Sequence, residues 1–141
     1  MSRVFLDSNI FIYHLEDSGV LGDRATHILE RLVSRDDTIL TSTLTLGEVL
    51  VKPLEWGDRF LENKYRSLLR EPDVRIVPFD LRAGEIFAHV RQDKRIKPAD
   101  AIQLASAASA GCDLFITNDE RLSTALVTGI QFIVSMDRAP I

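Results

Sequence analysis

Short runs of β-branched, aliphatic and aromatic residues alternate in this chain with stretches whose apolar residues return every three or four positions. The runs at 4–6, 38–41, 74–79 and 114–117 predict strands, and 131–134 predicts a fifth. Between them, Leu21, Ala25, Ile28, Leu29, Leu32 and Val33 mark one helix face, with Asp23 as its expected N-cap. Trp56, Phe60, Leu61, Tyr65, Leu68 and Leu69 mark a second face, and Ala83, Ile86, Phe87 and Val90 a third. Residues 98–110 are alanine-rich and apolar on most sides, which predicts a helix packed under other elements. Residues 53–58 are the expected break between consecutive helices.

Strands that alternate with helices imply right-handed crossovers and a parallel sheet covered on both faces. Proline cannot donate to a strand ladder, so Pro78, inside the third run, places that strand at a sheet edge. The expected fold is therefore α/β. A length of 141 residues suits one domain, and no linker, repeat or low-complexity stretch divides it.

Hydrophobic residues make up 45% of the chain and charged residues 27%, ordinary globular usage that excludes extensive disorder. The net charge of −4 argues against a general polyanion binder, so any nucleic-acid contact needs a local basic patch or a bridging metal. A single cysteine, Cys112, excludes an internal disulfide and predicts a reducing compartment. No apolar run approaches the ~18 residues of a membrane span, and the N-terminus does not read as a signal peptide. A cytoplasmic location is expected.

Four acids stand where apolar runs give way to helices. Asp7 follows the first run and Asp119 the fourth; Glu48 lies one turn into the helical pattern after the second run; Asp100 follows Pro98 at a helix start. Each has an ordinary explanation. Asp7 and Asp119 could cap helices, Glu48 could close a capping box with Thr45, and Asp100 could complement a helix dipole. Together they suggest more. The carboxyl ends of parallel strands share one edge, where ligands bind. Helical side chains tilt toward their N-terminus, which aims Glu48 at that edge. The helix of Asp100 runs back across the sheet for ~20 Å, which returns Asp100 to it as well.

Two like charges ~4 Å apart repel by ~4 kcal/mol at an effective dielectric of ~20, so such a cluster calls for a cation. The donors are all oxygens, and His14, His27 and His89 are scattered elsewhere. Oxygen-only ligation suits Mg2+ or Mn2+ and argues against zinc. Such ions organise phosphate chemistry.

The segments Phe5-Leu6-Asp7-Ser8-Asn9, Leu46-Gly47-Glu48-Val49, Lys97-Pro98-Ala99-Asp100-Ala101-Ile102 and Phe115-Ile116-Thr117-Asn118-Asp119, in this order and spacing, resemble the PIN-domain nucleases. Among these the likeness is to VapC-type toxin ribonucleases of toxin–antitoxin pairs. The resemblance implies a PIN-like three-layer α/β/α sandwich with a five-stranded parallel sheet in the order 3-2-1-4-5. It implies an acidic metal site made of Asp7, Glu48, Asp100 and Asp119, with Asp7 and Asp100 the surest ligands, and support from Asn9 and Thr117. It further implies metal-dependent hydrolysis of RNA, a homodimer, and a small antitoxin whose peptide fills the cleft.

Arg91, Lys94, Arg95 and Lys97 lead directly to Asp100 and are expected to guide RNA, with Arg59, Lys64, Arg66 and Arg70 as a second set. Solvated helix faces are the plainer explanation of both sets. The apolar faces at 21–33 and 56–69 could form the antitoxin groove or simply pack into the core. Two rival functions stay open. One is a phosphohydrolase with Asp7 as nucleophile, although Asn9 stands where such enzymes usually carry a second aspartate. The other is a non-catalytic binding module whose acids only cap helices.

Overall fold

The computed structural model describes residues 1–141. Five strands, β1 (Arg3–Leu6), β2 (Thr38–Ser42), β3 (Val74–Val77), β4 (Cys112–Thr117) and β5 (Ile130–Ser135), form one sheet in the order β3-β2-β1-β4-β5. Every neighbouring pair is parallel. Helices α1 (Ser8–Glu16), α2 (Val20–Ser34), α3 (Thr43–Trp56), α4 (Arg59–Leu68), α5 (Leu81–Val90) and α6 (Pro98–Ala110) complete the fold, with 3-10 turns at Glu120–Thr124 and Met136–Arg138.

Side-chain alternation on the central strands makes three layers. Val4, Leu6, Ile39, Leu114 and Ile116 join one core cluster with Ile10 and Phe11 of α1, Ile28 and Leu32 of α2 and Val49 of α3. Phe5, Leu40 and Phe115 point the other way and join Val90 of α5 with Ala101 and Leu104 of α6. Phe5 and Phe115, opposite each other in the β1–β4 register, stack at 5.0 Å between ring centroids. The α/β class, the sandwich and the strand order agree with expectation.

The structure corrects several details. Helix α2 begins at Val20 with Gly19 as its N-cap, which puts Asp23 inside the first turn. The turn is set from upstream: the Asp17 carboxylate accepts the Gly19 N–H at 2.6 Å, and a methyl group at Gly22 would lie 1.7 Å from the Asp17 carbonyl oxygen. Strand β3 ends at Val77, so Pro78 follows the edge strand rather than lying in it. Trp56 ends α3 and Phe60 lies in the first turn of α4, and both are exposed, whereas Tyr65 and Leu69 are buried. The left-handed Gly57 and the N-cap Asp58 separate these helices, within the expected break. Residues 98–110 form a helix with most side chains buried, as their composition implied. No helix is long and apolar enough to cross a membrane.

Candidate functional site

Strand β1 delivers Asp7 to the carboxyl edge of the sheet, immediately after Leu6. Asp7 occupies the N-cap position of α1 yet makes no side-chain capping bond. Its Oδ1 is sealed from solvent and has no hydrogen-bond partner. Burial pushes its carboxyl up to about 6, and the nearby charge of Asp100 adds to the rise. The Thr117 hydroxyl and the amides of Ile10 and Asn9 only partly offset this. Its burial and the unpartnered Oδ1 go beyond what a helix cap requires.

Glu48 stands on the exposed face of α3 in its second turn. The helix is capped by Ser42, which accepts the Thr45 N–H at 3.1 Å, so Glu48 closes no capping box. It accepts a 2.6 Å hydrogen bond from the Ser8 hydroxyl, which ties α3 to the residue after Asp7. Asp100 lies in the first turn of α6, behind Pro98. Its carboxyl is raised first by burial, then by the charges of Asp119 and, more weakly, Glu48; Arg121 and Lys97 oppose the rise. Asp100 is thus coupled by charge to each of the other three acids.

Asp119 differs from the other three. It caps the 3-10 turn through the Arg121 N–H, and both its oxygens are engaged by the Arg121 side chain, at 3.0 Å from Nε and 2.7 Å from a terminal nitrogen. This held carboxylate is lowered, chiefly by the Arg121 hydrogen bond. No three of the chain's His, Cys, Asp and Glu side chains are gathered at ion-binding spacing as they stand. The residues nonetheless fit a hard divalent cation. The donors are all oxygens, one is buried and unpartnered, and two carboxyls are raised by burial and mutual charge.

Thr117 is fully buried, and its hydroxyl accepts the Asp119 N–H at 3.0 Å while bearing on Asp7. Asn9 is exposed and acts on Asp7 through its backbone amide. Of the four basic residues before Asp100, Lys97 bears on both Asp100 and Asp119. Arg91 instead donates to the Ile96 carbonyl at 2.6 Å, and Arg95 forms a bidentate pair with Asp93. These two are engaged within their own loop. In the second set, Arg66 pairs with Glu62 and Lys64 lies over the Phe60 ring. His14 bonds to Thr26, and His27 and His89 line clefts that contain none of the acids.

Sequence reasoning missed Arg121 and a buried polar cluster beneath Glu48. Gln103, nearly fully buried on α6, donates to the hydroxyls of Ser8 at 3.1 Å and Thr45 at 2.9 Å and accepts from Ser42. A readable signal existed: a glutamine in a helix expected to be packed on most sides must find polar partners.

Solved structures share the fold. VapBC2 from Rickettsia felis, bound to a DNA fragment from its promoter, aligns with a TM-score of 0.74 at 15% identity, covering 94% of this chain and 98% of that one. VapC20 from Mycobacterium tuberculosis, a Sarcin-Ricin loop cleaving toxin, gives 0.68 at 18% identity over 89% and 97%. A toxin-antitoxin complex from Klebsiella pneumoniae gives 0.66 at 24% identity over 93% and 99%. No curated protein matches the sequence. The PIN domain sequence profile matches residues 4–127, and on that match, across nearly the whole chain, this protein belongs to the PIN-domain family.

Proposed function

We propose that this chain is a metal-dependent endoribonuclease that hydrolyses RNA phosphodiester bonds as the VapC-type toxin of a toxin–antitoxin pair. The observation that carries the reading is the buried, unpartnered Oδ1 of Asp7, set in the field of Asp100 at the carboxyl edge of the sheet. A buried oxygen without a partner is costly, and a bound cation is the natural counterpart for it. Asp7 and Asp100 would hold Mg2+ or Mn2+, with Glu48 and Asp119 as further oxygen donors. When bound, such an ion lowers the pKa of water and offsets charge on a phosphate. Thr117 braces Asp7 and the Asp119 backbone. Lys97 offers the nearest positive charge to an incoming phosphate.

The chain would act in the cytoplasm as a homodimer, and its antitoxin peptide would cover the exposed Leu54, Trp56 and Phe60 between α3 and α4. Exposed aromatics of this size commonly mark a partner site. The similar toxin-antitoxin complex from Klebsiella pneumoniae supports a partner of this kind.

Cleavage of total RNA tests the proposal. Wild type should cut with Mg2+ or Mn2+ and stop with chelator, and Asp100→Asn should lose on the order of 100-fold or more while keeping its circular dichroism spectrum. Full activity of Asp100→Asn in chelator would refute it. Arg121→Gln should release Asp119 and raise Mn2+ affinity in calorimetry by roughly 2- to 5-fold, a modest gain because the pair is solvent-exposed. Unchanged or weaker binding would show that Arg121 does not compete with the ion.

A further inference from the structure

The cluster beneath Glu48 has a direction. The Gln103 amide is saturated: its NH2 group supplies the hydroxyls of Ser8 and Thr45, and its carbonyl receives the Ser42 hydroxyl. Ser42 in turn accepts the Thr45 N–H. Ser8 Oγ, already an acceptor from Gln103, has one hydrogen to give. Glu48 Oε1 lies at 2.6 Å and Thr45 Oγ1 at 3.1 Å, and an ionised carboxylate is the stronger acceptor. As placed, the amide turns its NH2 group toward Ser8 and Thr45 and its carbonyl toward Ser42.

Glu48 is exposed, and a free glutamate in that setting samples many rotamers. The Ser8 hydroxyl, itself buried and oriented from below, pins the carboxylate at the edge that carries Asp7 and Asp100. Three segments distant in sequence meet here: α1 brings Ser8, α3 brings Thr45 and Glu48, and α6 brings both Gln103 and Asp100.

We infer that Gln103 is a positioning residue that orients Glu48 for divalent-ion binding by directing the Ser8 hydroxyl at it. The inference rests on the reading of the acids as an ion site. Partners that orient ligands typically change metal affinity by about 10- to 100-fold.

Calorimetry with Mn2+ alone tests it on wild type, Gln103→Met, Ser8→Ala and the double variant, with thermal melts alongside. Each single change should weaken Mn2+ binding by about 10-fold, and the double variant should lose no more than the larger single loss, because Gln103 acts through Ser8. Melting temperatures lowered with Mn2+ affinity unchanged would overturn the inference, as would losses that multiply in the double variant. Should Gln103→Met not fold, Ser8→Ala decides alone: wild-type affinity in that variant overturns it. Wild type that binds no Mn2+, or binds it as well after Asp100→Asn, removes the ion-site reading itself. Wild type that binds while Ser8→Ala matches it removes only the role of Gln103.

Discussion

Asp7→Asn is expected to abolish RNA cleavage and, in metal-free buffer above pH 6, to make the protein more stable than wild type by up to about 3 kcal/mol. The two effects have one origin. An unfolded aspartate ionises near 3.8, whereas burial moves the folded Asp7 carboxyl to about 6. Between those values the unfolded state releases its proton first. Wild-type stability should therefore fall as pH rises through this window and level off above it. Asparagine does not titrate, so the difference between the proteins should open from about pH 4 to about pH 6 and vanish below it. Urea denaturation across this range, with chelator present, measures it. A destabilised Asp7→Asn protein at pH 7 would mean that the buried oxygen is already satisfied. Saturating Mn2+ should reverse the order, because the ion stabilises only the protein that binds it.

Phe115→Ala should cost about 3–5 kcal/mol and lower the melting temperature by roughly 9–15 °C. The ring is fully buried on β4 and stacks on Phe5 of β1, in the layer closed by α6. Its loss leaves a cavity between α6 and the sheet, against the strands that lead to Asp7 and Thr117. Phe132→Ala is the matching control, since that side chain is mostly exposed on the edge strand β5 and should shift melting little. A loss at Phe115 no larger than at Phe132 would contradict the two-faced core.

The α/β class could be read from the alternation of strand and helix patterns, and the strand order came with the resemblance to the PIN-domain family. A parallel sheet puts every strand's carboxyl end on one edge, so residues just after apolar runs meet there whatever the details. Asp7 and Asp119 are such residues, and Asp100 reaches the edge because α6 must run antiparallel to β4. What escaped was set by contacts between segments far apart. The Gln103–Ser8–Glu48 chain joins three helices; the sequence marks Gln103 as needing polar partners but not which ones. The start of α2 depends on Asp17 and a close backbone approach at Gly22, which outweigh a good capping residue at Asp23. Periodicity also placed Trp56 and Phe60 on one helix face, but the turn at Gly57 breaks the helix between them and leaves both rings exposed. The pairing of Arg121 with Asp119 spans only two residues and was legible in principle. The same Asp-x-Arg arrangement at Asp93 and Arg95 shows that this spacing closes readily.

Crystals grown with Mn2+ and recorded for anomalous scattering test the central claim most directly. The account predicts a peak at the carboxyl edge of the sheet, coordinated by oxygens of Asp7 and Asp100, that disappears in Asp100→Asn. No peak there, in a protein that still cuts RNA under chelator, would contradict it.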